Sequence, residues 1–140
     1  MIPRSRIIRV DAMGTVVFLL ATLLASVATS GWTGALNFAV SGVLFLGGCV
    51  AFAVGFLKAV NRSRTEVIDL AGLFYLTGAA GREPRRAMLG LWFVQIAAAT
   101  VSVFTVSPPW GVMAPVWGIG LLTLWSARHG RFPERPPVRR

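Results

Sequence analysis

Residues 12–57 read AMGTVVFLLATLLASVATSGWTGALNFAVSGVLFLGGCVAFAVGFL, without one Asp, Glu, Lys or Arg. Asp11 closes this run on one side and Lys58 on the other. A second run, residues 87–127, is equally free of charge between Arg86 and Arg128. The two runs are 46 and 41 residues long. A helix crosses ~30 Å of hydrocarbon with roughly 20 apolar residues. Each run therefore holds two crossings and a turn. A soluble fold of 140 residues has no core that could hide both. The composition agrees, with only 14% charged residues against about 25% in ordinary globular chains.

Turn chemistry divides each run. Gly31-Trp32-Thr33-Gly34 offers two glycines to reverse the chain and a tryptophan suited to a membrane interface. Pro108-Pro109 breaks the second run, because proline gives no amide hydrogen and disfavours helix in the residue before it. The reading is an all-α integral membrane protein of one domain, residues 1–140, with spans near 12–30, 36–57, 87–107 and 111–127. These four transmembrane helices form two hairpins. Pro115 falls in the first turn of the last span, where its missing donor is tolerated.

The basic residues set the orientation. The N-terminal tail has Arg4, Arg6 and Arg9, and the central segment has Lys58, Arg62, Arg64, Arg82, Arg85 and Arg86. The C-terminal tail, 128–140, has Arg128, Arg131, Arg135, Arg139 and Arg140. Both short turns have none. The positive-inside rule then places both tails and the central segment in the cytoplasm of a multi-pass inner (plasma) membrane protein. The arginines before span one mimic a signal peptide, but the apolar region is too long for a cleaved one and should be retained. A net charge of +9 with arginines at membrane boundaries points to topology and acidic lipid rather than to nucleic acid.

Within the central segment, residues 67–80 read VIDLAGLFYLTGAA. A helix of that length reaches only about 21 Å, too short to cross. Val67, Leu70, Ala71 and Phe74 share one face, so a helix over about 66–80 is expected in the cytoplasmic interface, capped by Asp69 or Thr65. A shallow re-entrant segment is the alternative. The proline-rich tail is expected to be an extended cytoplasmic peg.

Packing signals come next. Gly47, Ala51 and Gly55 recur every fourth residue in span two, as do Ala21, Ala25 and Thr29 in span one. Small residues let helices approach closely in lipid. The stripe either holds the four helices together or faces a partner protein, with Arg62, Arg64, Phe74 and Tyr75 of the central loop as further candidate partner contacts. Asn37 lies near the outer interface, and Gln95 is the one large polar residue well inside a span, where interhelical bonding or substrate contact would occupy it.

No ionisable residue falls within the expected spans, which argues against an ion-coupled pump. Asp11 is expected to meet an arginine of the central loop, and Glu66 or Asp69 to pair with Arg62 or Arg64. No catalytic cluster, metal-ligand spacing or cofactor motif is present in the sequence. The lone Cys49 reads as a small hydrophobe. An enzyme would have to bring Asp69 or His129 together at the interface, and a free-standing lipid-binding protein would need a groove between the hairpins.

Residues 62–64 (RSR), 71–78 (AGLFYLTG), Gln95, residues 111–135 (GVMAPVWGIGLLTLWSARHGRFPER) and residues 10–18 (VDAMGTVVF) carry a resemblance. Together they resemble an actinobacterial family of small four-span membrane proteins, and within it the mycobacterial accessory subunits of Mce-type (mammalian-cell-entry) lipid importers. These motifs have no catalytic meaning. The resemblance implies a non-catalytic subunit beside the permease subunits of an ATP-driven complex that carries fatty acids or other lipids, in contact with membrane lipids and without a cofactor of its own.

Overall fold

A computed structural model describes residues 6–28, 30–78 and 80–137. Arg4, Thr29, Arg139 and Arg140, used above, lie outside the described residues. The chain folds as α1 (Arg6–Val27), α2 (Gly31–Arg62), α3 (Leu70–Tyr75), α4 (Arg82–Thr105), a 3-10 turn (Trp110–Met113) and α5 (Pro115–His129). Four helical stretches are long and apolar enough to cross a membrane: α1, α2, α4 and the continuous unit Trp110–His129.

The span boundaries shift for physical reasons. α1 starts at Arg6 rather than Ala12, because Ile7 continues the inward face and packs in the core with Met88, Leu122 and Trp125. Asp11 therefore lies inside the helix. The expected turn at residues 31–34 is already the first turn of α2. α1 ends at Val27, so the chain has turned before residue 31; Ser30 is extended and its amide donates to the Thr33 hydroxyl at 3.3 Å. Gly31 and Gly34 border open space, so neither is required there by crowding. α4 begins at Arg82 and ends at Thr105, and Val106 is extended ahead of the two prolines. Pro115 opens α5, where a missing amide hydrogen leaves nothing unpaired.

α5 is the hub. The last crossing is 56% buried inside the protein, whereas the third is 22% buried. Along α2, buried residues Ser41, Leu44, Gly48, Ala51, Gly55 and Ala59 recur at helical spacing and make one inward face. Gly48 lies under the Val116–Trp117 backbone, Gly55 under Leu124, and Gly120 against the Gly48 carbonyl. A Cβ on Gly55 would stand 2.8 Å from the Leu124 Cα. The two backbones are thus in direct contact, which is how helices associate where lipid removes any hydrophobic drive between them.

The central segment departs from expectation. Its helix covers only Leu70–Tyr75, and Leu76 (φ 56°) and Gly78 (φ 71°) turn it back in the left-handed region. Asp69 does cap it, accepting from the Gly72 amide at 3.0 Å. The face against the protein is Gly72, Leu73 and Leu76, leaving Val67, Leu70 and Ala71 exposed. Leu76 is fully buried with Ile7, Met88 and Leu121, so the segment shares the bundle's core. Nor is the tail a free peg. The Val67 amide donates to the Pro133 carbonyl at 2.7 Å, and the Arg135 amide to Thr65 at 2.9 Å. Glu66 and Glu134 form an antiparallel bridge.

Candidate functional site

Gln95 is 1% exposed and joins three helices. Its Nε2 donates to Asp11 Oδ1 at 2.9 Å and to Thr15 Oγ1 at 2.7 Å, while its Oε1 accepts from the Gly118 amide at 3.0 Å. That last bond fixes the amide's orientation, because a flip would set an NH2 against an N–H. The Thr15 hydroxyl donates to the Asp11 carbonyl at 2.8 Å. Glycine at 118 admits the amide flat against α5, since a Cβ there would meet Gln95 Oε1. A second tie, from Asn37 Nδ2 to Thr22 Oγ1 at 3.4 Å, links α1 and α2.

Asp11 overturns two expectations. It is fully buried, and it meets Gln95 rather than an arginine of the central loop. It also places an ionisable group inside a crossing, where the sequence reading had none. Asp11 Oδ2, Trp117 Nε1, Asn37 Oδ1 and Ser41 Oγ are buried without a hydrogen-bond partner among the described residues. Trp117 Nε1 sits over Gly14, about one turn from Asp11 and next to Thr15. The bundle thus has a polar seam through its core, and polar groups inside a membrane mark functional positions or interhelical ties. The sequence did signal it: Asp11, Thr15, Phe18, Thr22 and Ala25 fall on one face of α1.

Of the candidate partner contacts, the small-residue stripe is occupied from within. Gly47 faces the Trp117 ring, Ala51 is buried beside Leu121 and Leu122, and Gly55 faces Leu124. The stripe is the seam between α2 and α5, not an open surface. Ala21 and Ala25 of α1 are likewise buried.

Arg62 is also turned inward. Its guanidinium pairs with Glu66 at 2.6 Å, donates to the Ala127 and Gly130 carbonyls at 2.9 Å each, and lies 5.2 Å from the Phe132 ring centroid. A cation on the orphan carbonyls at the end of α5 completes that helix and complements its dipole. Phe132, in turn, packs against Gly72. Arg62 therefore holds α2, α5 and the tail together, a role that no spacing in the sequence announces. Phe74 stacks on Phe52 at 6.1 Å. Arg64 and Tyr75 are the exposed members, and Arg64 borders a cleft of about 480 Å³ with Thr65, Glu66, Glu134 and Arg135. Asp69 is committed to its cap, while His129 lies against Trp125 at 5.6 Å. Comparison with family models, with curated proteins and with solved structures found no match.

Proposed function

We propose that this chain is a non-catalytic accessory subunit of a larger membrane complex, an ATP-driven importer of fatty acids or other lipids of the Mce type. It lies in the inner (plasma) membrane with both tails and the central segment in the cytoplasm, and its partners are the permease subunits. One observation supports a partner-bound subunit above the rest. Polar and small residues are turned inward as ties, as at Gln95, Arg62 and the Gly48–Gly55 seam, while α4 gives most of its surface away. Phe93, Val94, Val101 and Phe104 of α4 are exposed along its length. Such a face suits a neighbouring helix as well as lipid, and small or aromatic side chains anchor such contacts. The assignment to a lipid importer rests on the family resemblance and on nothing else.

Affinity purification in mild detergent tests the reading. Permease and ATPase chains recovered in fixed stoichiometry support it, and a chain recovered alone in detergents that preserve such complexes refutes it. A free-standing lipid-binding protein is the second reading. An open apolar groove of about 330 Å³, lined by Ile96, Ala99, Val103, Phe104, Val112 and Pro115, favours it, though it lies within the second hairpin rather than between the two. Recovery of the chain alone with bound lipid would select that reading.

A further inference from the structure

The segment between α2 and α4 turns back toward the crossings, and its neighbours measure how far. Gly72 accepts a hydrogen bond from Ser126 at 2.9 Å, and Leu76 packs with Leu121, Leu122 and Met88. The Phe74 ring stacks on Phe52, and the Tyr75 ring lies 6.4 Å from that of Trp92. Phe52 precedes Arg62 by ten residues on α2, Trp92 follows Arg86 by six on α4, and Leu121 precedes Arg128 by seven on α5. At ~1.5 Å per residue those neighbours stand roughly 9–15 Å inside the arginine level on three helices. The tip of the segment is therefore wedged among the crossings, at the depth of the headgroup and upper acyl layers.

Its outer face is largely apolar, with one exposed acid, Asp69, whose carboxylate caps the short helix by accepting from the Gly72 amide. Leu70 is 72% exposed, Tyr75 51% and Val67 42%, with Ala71 exposed between them. Arg82, Arg85 and Arg86 are exposed at the start of α4, which follows the segment, and Arg64 is exposed three residues before it. Arg85 Nε donates to the Tyr75 carbonyl at 3.1 Å, fixing the arginine cluster to the wedge. Among the described residues the one salt bridge is Arg62–Glu66, so Arg82 and Arg86 pair with no carboxylate, and Arg64 shares its cleft with Glu66 and Glu134 without forming an ion pair. Glu83 is the one acid in the first turn of α4. An apolar face rimmed by unneutralised guanidinium groups fits a surface that is apolar below and anionic above.

We propose that residues 67–76, with these arginines, form a binding surface for acidic phospholipid headgroups of the adjoining leaflet. Val67, Leu70, Ala71 and Tyr75 enter the acyl layer, and Arg64, Arg82 and Arg86 take the phosphates. The guanidinium fork matches phosphate oxygens, and the net positive charge selects acidic over zwitterionic lipid. This rests on the fold and not on the partner complex, so it stands or falls separately from the proposed function.

The test uses the full chain in nanodiscs of phosphatidylcholine with and without phosphatidylglycerol. A spin label at Leu70→Cys, in a Cys49→Ser background, reports access to oxygen and to a water-soluble nickel complex. Native mass spectrometry counts the phosphatidylglycerol retained. Expected are an oxygen-accessible, nickel-protected label and a preference for phosphatidylglycerol. The triple variant Arg64→Gln/Arg82→Gln/Arg86→Gln should weaken that preference by about tenfold or more, and the same three positions as lysine should keep most of it. All these positions are exposed, and unchanged circular dichroism and size-exclusion profiles establish folding of each variant. A nickel-accessible label in both nanodiscs overturns the proposal. So does equal retention of the two lipids, or shielding of the label that requires an added acidic protein partner.

Discussion

Replacing Gly55 with alanine inserts a methyl group into the α2–α5 seam. Its ideal position is 2.8 Å from both the Leu124 Cα and N, and 3.0 Å from the Thr123 carbonyl carbon. Carbon atoms rest at about 3.5–4.0 Å, so the helices must part by roughly 0.7–1 Å. All three obstructing atoms are backbone, and no rotamer change relieves them. A gap of that size forfeits about a quarter to a half of the dispersion well along the seam. Overpacking of this kind costs about 1–3 kcal/mol, and alanine's higher helix propensity returns up to about 1 kcal/mol. The net expectation is a loss of about 1–2 kcal/mol. Gly42→Ala is the control, on the same helix but with nothing within 4 Å of the new methyl, and should be neutral or mildly stabilising. Reversible SDS unfolding in mixed micelles, followed by tryptophan fluorescence, measures both. A Gly55→Ala protein as stable as the Gly42→Ala control would refute the claim that α2 and α5 touch through their backbones.

Gln95→Leu removes three hydrogen bonds and strips the donor from Asp11; at roughly 0.6 kcal/mol per interhelical bond it should cost about 2 kcal/mol in the same assay, more than Asp11→Asn. Arg62→Gln should release the tail, read as faster tryptic cleavage after Arg131 with the crossings still intact; unchanged cleavage would show that Arg62 is not the clasp. Ala51→Leu should destabilise the isolated chain, because Ala51 packs in the core with Leu121 and Leu122, whereas Phe74→Ala should lose the Phe52 stack and its contact with the Ala59–Leu73–Ala127 cluster and remain folded. A stable Ala51→Leu protein that has lost its partners would return the stripe to the outside.

The four crossings were legible because hydrocarbon tolerates so few charges that two long gaps left no other reading. The ends were less legible, since a helix does not stop where the last charge falls. Starting span one at Ala12 leaves Asp11 in the N-terminal tail, though Asp11, Thr15 and Thr22 lie on one face of α1 and Gln95 needs partners inside the bundle. Gly31 and Gly34 misled in the opposite way: glycine permits a turn without requiring one, and Ser30 with Thr33 makes it instead. The stripe of small residues was visible, but a stripe does not name what lies across it. Only the fold sets Val116, Gly120 and Leu124 there. Arg62 was invisible as a clasp because its acceptors, the Ala127 and Gly130 carbonyls, are 65 and 68 residues away and carry no side-chain signature.

Substituted-cysteine labelling in a Cys49→Ser background reports the side of the membrane on which each tail and connection lies. Single cysteines at Arg9, Arg64, Arg140 and the exposed Trp32 and Trp110, in cells, are challenged with a membrane-impermeant maleimide. Trp32→Cys and Trp110→Cys should label from outside, while the three arginine positions should label only after the membrane is opened. Outward labelling at Arg64 or Arg140 would contradict it.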